Sequence, residues 1–133
     1  MADKKLELEI ISPDRKFYTG EVSMVEFNTT EGYIGVYPDH IPLAVILSPG
    51  VLVIHGESEE KKAALHSGFA KITKNKVTIF AEIAEWPDEI DFNRAEEARI
   101  SAERRMSGEK SGIDLQRAEI ALKKSLTRIA LKK

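Results

Sequence analysis

Apolar positions recur along this chain with two different periods, and the change falls near residue 90. Leu6, Leu8 and Ile10 alternate with Glu7 and Glu9, the period-2 pattern of a strand with one buried face. Ser12-Pro13-Asp14 supplies a turn, and short apolar runs follow at residues 17–18 and 22–27. Residues 33–37 and 43–47 flank the loop Pro38-Asp39-His40-Ile41-Pro42. Residues 51–55 and 62–66 are joined by Gly56-Glu57-Ser58-Glu59-Glu60, a hairpin with a charged tip. Residues 69–72 and 77–80 lie either side of Lys74-Asn75-Lys76, a second hairpin. Eight or more short strands at a spacing of about 8–12 residues predict a sandwich or a flattened barrel.

Beyond Pro87 the period becomes helical. From Asp91 onward there is no proline and no aromatic side chain other than Phe92. Ala95, Ala98, Ala102 and Met106 share one helix face, and Gly108-Glu109-Lys110-Ser111-Gly112 breaks the helix. Ser111 and Asp114 form a capping-box-like start for a second helix, because a hydroxyl and a carboxylate can satisfy free amides there. Leu115, Ala118, Leu122 and Ile129 make its stripe, with Ala121 and Ser125 beside it. A short loop between two narrow stripes predicts an antiparallel pair. Alanine contacts hide little apolar area at ~25 cal/mol per Å2, and isolated helices of this length are marginal in water. A weakly held arm, opened by a few kcal/mol from a ligand or partner, is one reading. A rigid helix pair is the other.

Composition narrows the function classes. The 133 residues suffice for one core plus a small appendage. No apolar run approaches the ~20 residues that span a bilayer, and MADKKLELEI lacks the pattern of a signal peptide, so a soluble chain is expected. Zero cysteines remove disulfides, thiolate nucleophiles and Cys-type zinc sites. The net charge of −2 conceals an asymmetry. Residues 1–90 hold 9 basic and 15 acidic side chains, whereas residues 111–133 hold 6 basic and 2 acidic. The basic end is either a solvated helix face or one that docks on an acidic protein surface.

No constellation for catalysis emerges. His40, His55 and His66 lie on three different elements, read as strand ends or loops, without HxxxH or HExxH spacing, so no metal site is expected. There is no GxSxG elbow and no GxxxxGK[ST] phosphate loop. The basic helix carries no aromatics for base stacking, which argues against nucleic acid. Lys123, Lys124 and Arg128 have no Trp or Phe opposite them, which argues against a membrane-surface helix. The expectation is a chain with no active site of its own.

The run Glu31-Gly32-Tyr33-Ile34-Gly35-Val36-Tyr37-Pro38-Asp39-His40-Ile41-Pro42-Leu43 resembles the EGxxGxxPxHxPL loop of the epsilon subunits of F-type ATP synthases. Residues 6–13 are similar to the first strand and SP turn of that family. Ile90-Asp91-Phe92-Asn93-Arg94-Ala95 resembles its IDxxRA segment, and Ala102-Glu103-Arg104-Arg105 with Arg117-Ala118-Glu119-x-Ala121-Leu122 resembles its hairpin. The resemblance implies a ten-stranded β-sandwich over residues 1–88, followed by an antiparallel two-helix hairpin over residues 89–133.

It further implies a non-catalytic central-stalk rotor subunit that couples ion-driven rotation to ATP synthesis. Its partners would be gamma, the ring of c subunits and the catalytic beta (and alpha) subunits. Its place would be peripheral, on the cytoplasmic side of the inner or plasma membrane. The family's hairpin can rise to inhibit ATP hydrolysis. An acidic segment of beta is the implied partner for Arg104, Arg105, Lys123, Lys124 and Arg128, and Glu31, Tyr33 and His40 are implied contacts of the c ring. Gly32 and Gly35 would permit unusual backbone angles in that loop, while Pro38 and Pro42 stiffen it. Some bacterial members bind a regulatory ATP. Glu85, Asp91, Arg94, Lys124 and Arg128 stand at the matching positions, although Ser101 replaces one arginine of the fuller pattern. Carboxylates there could accept from an adenine amine and the cations could hold phosphates. Equally, Asp91 is a natural N-cap and Arg94 an ordinary first-turn residue. No cofactor is otherwise required. The rival reading is a stand-alone nucleotide-sensing module with another protein partner.

Overall fold

The computed structural model describes residues 4–108 and 112–132, with the side chain of Ile113 excepted. The alternation at the start builds β1 (Leu6–Ser12), in which Leu6, Leu8 and Ile10 are fully buried while Glu7 faces solvent. β2 (Arg15–Val22) returns antiparallel to it, with a register shift between Ile10 and Ile11 that leaves Phe17 as the extra residue. β3 (Met24–Thr29), β4 (Gly32–Val36), β5 (Leu43–Leu47), β6 (Gly50–His55), β7 (Glu60–Ile72) and β8 (Lys76–Glu85) follow. The pairing order is β2-β1-β8-β7-β5-β3-β4, with β6 joining β3 to β7. β1 and β8 are parallel; the other pairs are antiparallel.

β7 folds this sheet into two layers. Its residues 60–65 pair with β6, and its residues 68–72 pair with β5. Phe27, Leu52, Ile54, Ile72 and Ile79 fill the space between the layers. Eight strands form among the described residues, where the resemblance implies ten. Part of the reason is that residues 60–72, two runs in the sequence, are one continuous strand. Gly68 permits this at φ 147°, since a Cβ there would lie 2.0 Å from the Phe80 carbonyl oxygen.

Within the segment from Glu31 to Pro42, residues 32–36 are β4, in place of the run read at 33–37, and the loop follows it. Gly32 takes a positive φ, but Gly35 does not. Gly35 is small because Met24 packs over it, its Cε 2.7 Å from where a Cβ would stand. The left-handed residue of the loop is Asp39, φ 66°. Its amide donates to Asn75 Oδ1 (3.3 Å), its carboxylate pairs with Lys4, and the His40 amide donates to the Lys74 carbonyl (3.2 Å).

The joint between the two regions is clamped to the sheet. Trp86 stacks on Phe17 with ring centroids 4.3 Å apart, and Arg15 donates in a fork to Glu89 at 2.8 and 2.7 Å. A short 3-10 helix, Pro87–Glu89, leads to α1 (Phe92–Ser107) and then α2 (Gly112–Ile129). The Asp91 side chain caps α1 by accepting from the Arg94 amide at 3.1 Å. Ser111, half of the expected capping box, lies outside the described residues. The start of α1 lies beside the end of α2, since Arg94 and Arg128 line one cavity, so the pair is antiparallel.

Ala95, Ala102, Ala118 and Ser125 are buried along the helix contact, and Met106, Ala121, Leu122 and Ile129 are half-buried. Ala98 and Leu115, assigned to these stripes from periodicity, are instead exposed. The sandwich receives the arm through α2, which touches β6 and β7. Leu131, just past α2, is buried with Ala64 and Ile90 and packs against Val51 and Phe92.

Candidate functional site

β8 ends at Glu85 and α1 begins after Asp91, so the chain leaves the sandwich and enters the hairpin with acidic groups on both sides of the joint. The antiparallel return of α2 brings Arg128 back to the same place. A cavity of about 290 Å3 results, lined by Glu85, Glu89, Asp91, Arg94, Ala95, Ala98 and Arg128. That is at the lower end of small-ligand sites. Four of the five residues assigned to nucleotide binding therefore converge from both regions. Lys124, one helical turn before Arg128 and half-buried, is not among the lining residues.

Glu85 is the centre of the polar network. Arg128 Nε donates to its Oε1 at 2.7 Å, and His66 Nε2 lies 3.0 Å from the same oxygen. Burial by itself would raise this carboxyl, but the hydrogen bonds from His66 and Arg128, with the Arg128 charge, outweigh it and bring it down to about 2. Glu85 is thus a fixed anion at neutral pH. Glu89 is also held below the ordinary carboxylate range, chiefly by the Arg15 fork and then by the Trp86 amide. Asp91 caps the helix and also lines the cavity. The exposed Arg94 side chain has no hydrogen-bond or ion-pair partner among the described residues.

Sequence reasoning missed Glu89, Ala95, Ala98 and His66. Ala98 follows Arg94 by four positions, so helical spacing could have placed it beside that cation; its small side chain leaves the cavity open. His66 is neither a strand-end nor a loop histidine. It lies within β7, fully buried, because the hairpin closing at residues 73–75 sets Ala64 opposite Glu85 and makes His66 a diagonal neighbour of that carboxylate.

The other assigned residues do not form one surface. Glu31 is exposed at the β3–β4 turn, its amide donating to Thr29 Oγ1. Tyr33 exposes most of its ring, but its hydroxyl accepts from the Val51 amide at 3.0 Å. His40 lies beyond the other end of β4, its Nδ1 2.7 Å from the Ile41 carbonyl oxygen. The intervening strand is about 17 Å long at ~3.3 Å per residue, which separates His40 from Glu31. Arg104, Arg105 and Lys123 are exposed on the arm, without ion-pair partners among the described residues.

Two further surfaces stand out. Ile46, Phe69 and Phe80 align across β5, β7 and β8, all exposed, with the two phenyl rings stacked at 4.8 Å. Ile11 continues the row on β1, beside an apolar cleft of about 410 Å3. A wider cleft, about 680 Å3, lies between Lys61, Lys62, Trp86 and Lys132. It is larger than the Glu85 cavity and also carries both signs of charge, with Glu60 and Asp88 beside Lys61, Lys62 and Lys132, but none of the residues assigned to nucleotide binding lines it.

Comparison with known proteins places both regions. The family model of the ATP synthase delta/epsilon chain beta-sandwich domain matches residues 5–87, and that of the delta/epsilon chain long alpha-helix domain matches residues 88–133. The ATP synthase epsilon chain of Caldanaerobacter subterraneus subsp. tengcongensis is 41% identical over 130 residues, covering 97% of this chain and 94% of that one. That of Clostridium kluyveri is 42% identical over 129 residues, covering 96% and 97%. A chain in the cryo-EM structure of the Euglena gracilis mitochondrial ATP synthase (OSCP/F1/c-ring, rotational state 1) shares the fold. Its TM-score is 0.83 at 24% identity, covering 95% of this chain and 80% of that one.

Proposed function

The chain belongs to the ATP synthase delta/epsilon family, and we propose that it serves as the epsilon-type subunit of a rotary ATP synthase, a non-catalytic part of the central stalk. In this reading the sandwich is the assembly module, bound to gamma and the c ring. The apolar row Ile46-Phe69-Phe80 supports a permanent protein contact, since apolar side chains in register on a sheet face mark docking surfaces. Glu31 and Tyr33 at one end of β4 and His40 at the other would meet different parts of the rotor. No helix among the described residues is long and apolar enough to cross a membrane, which suits a peripheral subunit on the cytoplasmic side.

The hairpin is the regulatory module. Lowered, it is held by Arg128 on Glu85 and by Leu131 between Ala64 and Ile90. Raised, it would present Arg104, Arg105 and Lys123 to an acidic surface of beta and block ATP hydrolysis. A nucleotide in the Glu85 cavity would favour the lowered arm, with Glu85 and Asp91 accepting from the base and ribose and Arg94 and Arg128 holding phosphates. The observation that carries this is the convergence of Glu85, Asp91, Arg94 and Arg128, from both regions, on one cavity.

Removing residues 91–133 from the assembled complex should leave gamma bound and raise ATP hydrolysis; unchanged hydrolysis overturns the inhibitory role. Titrating the isolated full chain with ATP should shift the amides of Glu85, Asp91 and Arg94. Silence at millimolar nucleotide would remove the ATP site.

A further inference from the structure

We propose that His66 is a positioning residue of the Glu85 site, holding one carboxylate oxygen from beneath so that the other is presented to the base of a nucleotide. The ligand half of this rests on the nucleotide reading above; the positioning half does not. His66 belongs to the sandwich, not to the arm, and is fully buried in β7. Its Nε2 lies 3.0 Å from Glu85 Oε1, the same oxygen that accepts from Arg128 Nε at 2.7 Å. Oε2 of Glu85 accepts no hydrogen bond from the described residues, although the side chain lines the cavity.

The protonation pattern follows from partners. Nε2 faces an anionic oxygen and so carries a proton. Nδ1 is buried with no partner. An unpaired buried N–H costs more than the bare lone pair of a neutral ring in this apolar setting, so the Nε2–H neutral tautomer fits the site. Two donors on Oε1 fix the carboxylate plane and leave Oε2 as an open acceptor. Such an acceptor suits a base with an exocyclic amine, such as adenine, and opposes one with a keto oxygen at that position, such as hypoxanthine. His66 thereby sets base selectivity without touching the ligand.

The test uses the full chain as wild type, His66→Leu and His66→Gln, each titrated with ATP and ITP by calorimetry. Leucine removes the donor at similar bulk, whereas the glutamine amide can donate to Oε1 in its place. His66→Leu should lose about tenfold in ATP affinity, the scale of one charge-assisted hydrogen bond, while ITP affinity stays within about twofold. His66→Gln should restore most of the ATP preference. An ATP-to-ITP ratio in His66→Leu equal to the wild type overturns the selectivity role. A ligand-free readout separates this from failure of the site itself: the Glu85 carboxyl carbon, followed by NMR against pH. Its midpoint should rise in His66→Leu and return in His66→Gln, and an unchanged midpoint overturns the positioning. A wild-type chain that binds neither nucleotide overturns the nucleotide reading and the selectivity role, and the Glu85 titration still decides the positioning.

Discussion

The sandwich and the hairpin are similar in their regularity of structure but opposite in what they bury. The sandwich hides Phe27, Leu6, Leu8, Ile10, Leu52, Ile54, Ile72 and Ile79 almost completely. The hairpin buries alanines at its helix contact and leaves Ile100, Leu115, Ile120 and Leu126 between 36% and 47% exposed. Each fully buried large apolar side chain contributes about 1.5–3 kcal/mol, and an alanine far less. One region therefore has a large apolar core of its own, and the other meets it, among the described residues, through the Arg128–Glu85 pair, the Leu131 cluster and the contacts of α2 with β6 and β7. The lesson is that regular structure and tertiary stability are separate quantities. A helix can be well formed by its own hydrogen bonds and side-chain pairs, such as Arg99 with Glu96 and Glu103, and still hide little apolar area against its neighbour.

The contrast can be broken or sharpened by substitution. Phe27→Ala, in the middle of the sandwich core, should cost about 3–5 kcal/mol in denaturant unfolding. A loss below ~1 kcal/mol would mean that the sandwich lacks the core described. Leu131→Ala should cost about 2 kcal/mol, the low end for a buried leucine, and it should appear as faster amide exchange in α1 and α2 with β1 and β8 unchanged. Uniform acceleration across both regions would instead make them one cooperative unit.

Acid gives a smaller, graded effect. Because the folded carboxyl of Glu85 is depressed from 4.5 to about 2, its contribution to docking is fully present above about pH 4.5 and lost as pH falls through about 2. Arm docking in the wild type should weaken over that window, whereas Glu85→Gln should start weaker and lack this component. A flat wild-type profile would assign the latch to Leu131 alone. Smallest of all, Arg104→Ala should change the isolated chain by less than ~0.5 kcal/mol, because an exposed side chain with no ion-pair partner among the described residues supports little structure. Its effect is expected in the assembled complex, as weaker inhibition of ATP hydrolysis.

Much of this architecture was legible in the order of residues alone. Leu6-Leu8-Ile10 alternate and are buried in alternation, and both hairpins closed where their turn residues stood. The change of period after Pro87 gave the two helices. The misreadings were of another kind. Two apolar runs fused into β7 because Gly68 let the backbone cross Phe80, a contact between positions 12 residues apart. Ala98 and Leu115 fit a helical stripe, yet they stay exposed, Ala98 in the wall of the open cavity, because periodicity gives a face without giving a partner to cover it.

Local chemistry, then, was set by the order of residues: strand alternation, helix periodicity, the Asp91 cap and the opposite charges of the two ends all depend on neighbours within a few positions. The cavity was not. Glu85, Asp91 and Arg94 lie close in the chain, but Arg128 reaches them only through the antiparallel return of α2, and His66 only through the β7–β8 register. Contacts between distant segments arise from how whole elements pack to hide apolar area. The same packing made Glu85 a strongly held anion and His66 its buried support, whereas two residues that share one sequence motif, Glu31 and His40, were drawn to opposite ends of a strand.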